Sequence, residues 1–112
     1  MAPSDSIRIQ HILDALEESF LFAKGKSRED LNNDRILVLS LIKEIEIIGE
    51  AASKISVELK TKYSEIPWVD IIGMRNKLIH GYFEVNLDIL WNTIKKDLPK
   101  LQKQLQTIIK NE

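Results

Sequence analysis

The sequence predicts an all-α protein, a single bundle of about four to six helices, and three observations favour this class. Apolar residues recur at steps of three and four along most of the chain, as on the buried side of amphipathic helices. Glycine and proline number only four and three, and they lie where one helix would end and the next begin. No stretch gives a competing strand pattern. A chain of 112 residues is long enough for one core, so residues 1–112 are expected to form one domain.

The first helix is expected to begin near Ser4 or Ser6, because serine can cap the free amides of a first turn. Gly25 is expected to end it. Its inward stripe consists of apolar residues at helical spacing, namely Ile9, Ile12, Leu13, Leu16 and Phe20.

A long central helix is expected over residues 34–55, after a polar connection at residues 26–33. Its apolar residues keep the helical period for its whole length. Small residues occur together from Gly49 to Ser53, which indicates that another backbone approaches closely there.

A short helix is expected over residues 57–64 and a third main helix over residues 67–80. The third helix opens with a proline in its first turn and is followed by Gly81, two features typical of a helix start and a helix end. Ile72 and Ile79 would share its inward face.

The last part of the chain again carries one apolar seam, after a turn at residues 81–86. The seam consists of Leu87, Trp91, Ile94, Leu98, Leu101, Leu105 and Ile108. Pro99 lacks an amide proton, so it should break or kink this segment after residues 96–98. We therefore expect two consecutive helices that dock one face on the bundle.

Composition excludes several classes of function. The chain has no cysteine, so it has no disulfide, no thiolate nucleophile and no sulfur metal ligand. A formal net charge of -1 argues against a basic surface over the whole chain, although basic residues outnumber acidic ones from Arg75 onward. Lysines on the solvated face of an amphipathic helix would give the same excess. The polar start and the lack of a long apolar run predict a cytoplasmic protein outside the membrane.

Four polar side chains crowd the predicted end of the third helix: Arg75, Asn76, His80 and Tyr82. On one continuous helix, residues five apart diverge by about 140°, so Arg75 and His80 would point apart, whereas Asn76 and His80 would share a face. Their convergence requires a groove, a helix end near His80, or a second subunit. Gly81 favours a helix end, and two-fold pairing would bring two such motifs face to face.

These side chains suit the cleavage of an RNA phosphodiester without a metal or another cofactor. Histidine can take or give a proton near neutral pH, and arginine can hold two phosphate oxygens and offset the charge of the transition state. Arg75 and His80 are therefore the predicted catalytic residues, and Asn76 could orient His80 or bind a phosphate.

Structural explanations for the same residues remain open. A histidine at a helix end is favoured by the helix dipole, and Arg75 could pair with Asp70 or Glu84. His11 is interpreted as an ordinary helix-face residue, and Tyr82 alone would be a packed turn aromatic.

Five segments of the chain carry a family resemblance. They are residues 46–52 (EIIGEAA), 66–68 (IPW), 73–83 (GMRNKLIHGYF), 85–91 (VNLDILW) and 97–99 (DLP). Together, and in this order, they resemble the HepT-like branch of the HEPN superfamily over nearly the whole chain. The glycine, proline and tryptophan agreements make this resemblance much more specific than the Arg-x4-His spacing alone.

The resemblance implies a homodimeric helical bundle that acts as the toxin of a type VII-like toxin–antitoxin pair. It implies a metal-independent endoribonuclease whose motif, here Arg75, Asn76 and His80, lies in a cleft between subunits and acts on RNA. The implied partner is a minimal nucleotidyltransferase antitoxin, which attaches AMP to a tyrosine two residues after the histidine, here Tyr82. Such anionic phosphates beside Arg75 and His80 would repel RNA. The alternatives are a non-catalytic nucleotide- or protein-binding HEPN module and a purely structural helical dimer.

Overall fold

The computed structural model describes residues 1–81 and 84–112, and it confirms the all-α class. The elements in chain order are helices α1 (Pro3–Ala23), α2 (Asp30–Asn33), α3 (Arg35–Ser53), α4 (Val57–Lys62), α5 (Trp68–Ile72) and α6 (Met74–Leu78), strands β1 (Ile79–His80) and β2 (Glu84–Val85), helix α7 (Leu87–Asn92), a π-helical turn (Thr93–Asp97) and helix α8 (Leu98–Asn111). The helices outnumber the predicted ones because α2 lies within the predicted connection and the predicted third helix is divided into α5 and α6. None of the helices in the described part of the chain is long and apolar enough to cross a membrane.

Helix α1 begins earlier than predicted. Its N-cap is Ala2, and Pro3 occupies the first turn. Backbone amides of a first turn have no acceptor within the helix, so a proline there loses no hydrogen bond. The predicted caps Ser4 and Ser6 therefore lie inside the helix. The predicted end is confirmed, because Gly25 follows the last turn with a φ of 73°, a conformation that favours glycine.

Helix α3 is the centre of the bundle. The Asp34 side chain accepts a hydrogen bond from the Leu37 amide at 3.0 Å and so caps its first turn. α3 packs against α1 on one side and against α5 and α6 on the other, and α8 packs against α1. The most deeply buried apolar side chains form one core: Ile9, Ile12, Leu16, Leu41, Ile45, Ile48, Leu78, Leu90, Leu98, Leu105 and Ile108.

The close approach predicted at the small residues of α3 occurs at Gly49. A Cβ atom at this position would lie 3.1 Å from the backbone oxygen of Ile72 and 3.5 Å from that of Ile71. The absence of a side chain on Gly49 thus lets the last turn of α5 lie directly on α3. The contact fixes where α6 starts, and with it the position of Arg75.

Gly49→Val is expected to lower the free energy of unfolding by about 1–3 kcal/mol, because its branched side chain would overpack the contact with α5. Gly49→Ala is the matched control, since the helix propensity gained over glycine, about 1 kcal/mol, offsets part of the clash of a lone Cβ. Urea unfolding followed by circular dichroism measures both variants. A Gly49→Val protein as stable as wild type would contradict the close contact.

A break or a kink was predicted near Pro99, and the break does not occur, since residues 87–111 are helical throughout. Pro99 is the second residue of α8 but lies inside this continuous helix, so its missing amide leaves a carbonyl oxygen of the preceding turn without its usual helical partner. The turn before it is widened into a π-helix, in which the Leu98 amide donates to the Thr93 carbonyl oxygen. The proline is therefore accommodated by one wide turn, and the predicted apolar seam stays buried from Ile94 to Ile108.

The carboxyl group of Glu44 lies in the interior of the bundle. The Glu44 residue is 5% exposed, and its Oε2 atom has no hydrogen-bond partner among the described residues. Burial, followed by repulsion from the Glu18 carboxylate, raises the pKa of Glu44 from 4.5 to about 7. The native state therefore holds this proton more tightly than the unfolded chain does, and stability falls as the pH rises through about 7.

Glu44→Gln is expected to stabilise the protein above pH 7 and to leave it unchanged well below pH 4.5, where the wild-type carboxyl is also neutral in both states. The comparison of urea midpoints of the two proteins at both pH values measures this effect. Glu18→Gln should give a smaller gain at high pH, because it removes the charge of Glu18 and leaves the larger effect, the burial of Glu44. An effect of Glu44→Gln that is equal at both pH values would argue against titration of Glu44.

Candidate functional site

The predicted third helix ends two residues before His80. Ile79 has extended dihedral angles, with φ of −107° and ψ of 121°, and the Leu78 carbonyl oxygen accepts a hydrogen bond from the Asn86 amide at 2.7 Å. His80 lies on β1 and pairs antiparallel with Glu84 of β2. Gly81 follows with a φ of 68°. Of the three arrangements considered for the motif, a helix end near His80 is thus present.

The same region also corrects the predicted inward face. The predicted helix is interrupted at Gly73, between α5 and α6. Ile72 is 38% exposed, and Ile79 is only partly buried, whereas Ile71, Met74 and Leu78 turn inward. The proposed sharing of one inward face by Ile72 and Ile79 was therefore wrong, because no continuous helix joins them.

An open groove of about 540 Å³ lies over the solvent side of α3. α1 forms one edge of the groove and α5 with α6 forms the other. Arg75 and Asn76 line it from α6, and Ile72 lines it from α5. Its other polar lining residues come from α1 and α3: Arg8, His11, Lys43, Glu46, Glu50 and Ser53.

Arg75 makes one ion pair in this groove. Its Nε atom lies 3.4 Å from Oε2 of Glu46, and the two side chains are 49% and 33% exposed. A pair exposed to this extent is typically worth 0 to about 1 kcal/mol. The remaining guanidinium donors are free to meet a ligand, because the described residues offer them no other carboxylate within ion-pair distance.

The partners expected for Arg75 from sequence proximity are wrong. Asp70 lies 3.7 Å from Nζ of Lys77, and Glu84 faces His80 across the hairpin. Glu46 reaches Arg75 only because α3 and α6 pack together.

The four predicted site residues are not all brought together within one chain. Arg75 and Asn76 are neighbours in the groove, and both are exposed. His80 is exposed on β1 but does not line the groove. It is also off the helix, so it does not share a helical face with Asn76. Tyr82, the proposed site of AMP attachment, lies outside the described residues.

Sequence reasoning missed three basic groove residues: Arg8, His11 and Lys43. Arg8 and His11 are three positions apart on α1, so their common helix face was detectable in the sequence. Lys43 had no local signal, because only the packing of α3 against α1 and α6 places it in one groove with Arg8 and Arg75.

Comparisons with known proteins cover most of the chain. Residues 12–108 match the family model described as "Ribonuclease HepT-like". The chain is 43% identical over 104 residues to a "Putative RNase" of Caldanaerobacter subterraneus subsp. tengcongensis, and the alignment covers 93% of each chain. It is 36% identical over 102 residues to the "Probable ribonuclease HepT" of Thermococcus cleftensis, which covers 91% of this chain and 93% of that protein. No solved structure matches the chain significantly.

Proposed function

This chain belongs to the HepT-like ribonuclease family, and we propose that it is a metal-independent endoribonuclease, the toxin of a type VII-like toxin–antitoxin system. Membership of this family implies RNA as the substrate. The matched residues 12–108 include the whole Arg-x4-His motif, and relatives of nearly the same length carry ribonuclease names. The toxin role rests on the family resemblance alone.

In the proposed reaction, the ribose 2′-oxygen attacks the adjacent phosphorus and the bond to the leaving 5′-oxygen breaks. The 2′-hydroxyl loses a proton and the leaving oxygen gains one. His80 carries one of these protons, since histidine exchanges protons near neutral pH. Arg75 holds the phosphate oxygens and offsets their growing charge, a role for which its planar fork is suited. Asn76 orients the phosphate.

The observation that carries the proposal is the environment of Arg75. Its side chain is half-exposed in a groove, beside Asn76, and the described residues engage it only through the Glu46 pair at 3.4 Å. A phosphate that binds two guanidinium nitrogens would replace this weak contact with a stronger, bidentate one. Arg75 is therefore available to substrate at little cost.

We expect the protein to act as a homodimer. His80 does not line the groove that contains Arg75, so pairing of two chains would give a simple way to bring both side chains to one phosphate. Light scattering coupled to size exclusion should give twice the mass of one chain. A strictly monomeric protein that still cleaves RNA would contradict the role of a dimer cleft.

The proposed regulator is a minimal nucleotidyltransferase that attaches AMP to Tyr82. Support comes from the position of Tyr82 in the sequence, two residues after His80. The side chain of His80 is exposed. Phosphates on Tyr82 would place negative charge at the site and repel the RNA backbone.

Co-expression with the cognate nucleotidyltransferase is expected to increase the intact mass of the protein by whole AMP units and to stop RNA cleavage. The matched control is Tyr82→Phe, which removes only the acceptor oxygen and should remain unmodified and active. If the partner stops cleavage and the mass of the wild-type protein does not change, the antitoxin acts by binding alone and the modification proposal is wrong.

A second candidate function is a non-catalytic module that binds a nucleotide or a protein in the same groove. The absence of His80 from the groove lining favours it. Binding of a nucleotide that persists in His80→Ala, without turnover by either protein, would support the binding module over the ribonuclease.

A further inference from the structure

The groove extends beyond Arg75 to a second group of basic side chains. Arg8 and His11 line it from α1, and Lys43 lines it from α3. We call these three residues the distal basic cluster. Arg8 and His11 lie across α3 from α6, and Ile47 and Ile72 provide apolar surface in the same groove.

The acidic residues of the groove do not neutralise the distal basic cluster. Glu46 pairs with Arg75 at 3.4 Å, and Glu50 pairs with Lys54 at 3.2 Å. Within residues 1–81 and 84–112, Arg8, His11 and Lys43 have no carboxylate within ion-pair distance and no side-chain hydrogen bond. The cluster therefore presents uncompensated donors to whatever enters the groove.

Arg8 gives the strongest indication of a ligand. The Arg8 residue is partly buried at the edge of the groove, and its side chain has no hydrogen-bond or ion-pair partner among residues 1–81 and 84–112. Its guanidinium offers five N–H donors in a planar fork that matches the oxygens of a phosphate. An anion in the groove would satisfy these donors. His11 lies three residues later on the same helix face, so both side chains would reach the same ligand.

We propose that Arg8, His11 and Lys43 form a second phosphate-binding subsite, which holds the RNA backbone at a phosphate away from the one that is cleaved. This proposal rests on the proposed ribonuclease function and gives the substrate a path across α3, from Arg75 at α6 to Arg8 at α1. Two separated phosphate contacts fix the direction of one strand in the groove, whereas a single contact leaves it free to rotate.

The subsite is tested by the binding of a single-stranded 2′-O-methyl RNA, which lacks the attacking hydroxyl and cannot be cleaved by this route. Fluorescence anisotropy of the labelled RNA compares wild type with Arg8→Ala and Lys43→Ala. Arg8→Ala is expected to raise Kd by about tenfold at low salt, the effect of one charge-assisted contact. Each substitution should also reduce the slope of log Kd against log salt by about 0.7, for any base sequence.

Lys103→Ala is the matched control, since Lys103 is an exposed lysine of α8 that does not line the groove. Its Kd and salt dependence should equal those of wild type. With cleavable RNA, Arg8→Ala should raise KM and leave kcat unchanged, because the contact is the same in the ground state and the transition state.

The results distinguish a failure of the subsite proposal from a failure of the ribonuclease proposal. If wild type binds and cleaves RNA and both groove variants match it, the subsite is wrong and the ribonuclease proposal stands. If wild type binds 2′-O-methyl RNA through Arg8 but cleaves no RNA, the ribonuclease proposal is wrong. If Arg8→Ala changes the oligomeric mass of the protein, the cluster belongs to a protein interface and the subsite is overturned.

Discussion

His80→Ala is expected to abolish detectable RNA cleavage, with a loss of about 10²- to 10⁴-fold, the usual contribution of a positioned proton carrier. The fold should survive, because the His80 side chain is exposed and His80 pairs with Glu84 of β2 through the backbone. Cleavage of single-stranded RNA in EDTA measures the effect, with protein whose intact mass excludes modification of Tyr82. Circular dichroism and urea unfolding report the fold.

Two outcomes of this experiment would contradict the assignment. The first is a His80→Ala protein that cuts RNA as fast as wild type, since histidine would then carry no proton in the reaction. The second is a wild-type protein that EDTA inactivates, which would require a metal ion in place of the proposed metal-independent reaction.

Arg75→Ala is expected to lower kcat by about 10²- to 10³-fold, the typical effect of removing one donor to a charged transition state. Arg75→Lys should recover only part of this loss, because an ammonium group cannot hold two phosphate oxygens in one plane. Kinetics on a single RNA substrate separate the effects on kcat and KM. Full activity of Arg75→Lys would mean that only positive charge matters.

Glu46→Gln is the matched partner variant for Arg75. It removes the same ion pair and leaves the guanidinium in place. If Glu46 does no more than pair with Arg75 in the free protein, the KM of Glu46→Gln should be lower than that of wild type, and cleavage should be retained. A loss of kcat as large as that of Arg75→Ala would instead assign to Glu46 a role in orienting Arg75.

The parts of the fold that could be predicted depend on local signals. The apolar periods of α1, α3 and α8 determine which face is buried, and Gly25 has the positive φ expected at a helix end. Gly49 is a local signal too, because a residue without a side chain inside a long helix indicates a close neighbour. These features need no knowledge of distant residues.

The other features depend on contacts between distant parts of the chain. At the end of α6 the Leu78 carbonyl oxygen accepts a hydrogen bond from the Asn86 amide, eight positions later in the chain. Arg75 pairs with Glu46 of α3, and not with an acid close to it in sequence. The distal basic cluster exists only when α1 and α3 are packed. The motif was therefore recognisable from sequence, whereas its surroundings were not.

The short hairpin that contains His80 has a consequence for how the site responds to heat or denaturant. The ladder between β1 and β2 consists of two residue pairs, Ile79 with Val85 and His80 with Glu84, whereas Arg75 is anchored by α6 on the bundle. Units with few buried contacts open at lower free energy than the core, so hydrogen exchange should be faster for the ladder amides than for those of α3. Activity should then be lost at lower urea than helicity, and His80 would leave the site while the bundle remains folded.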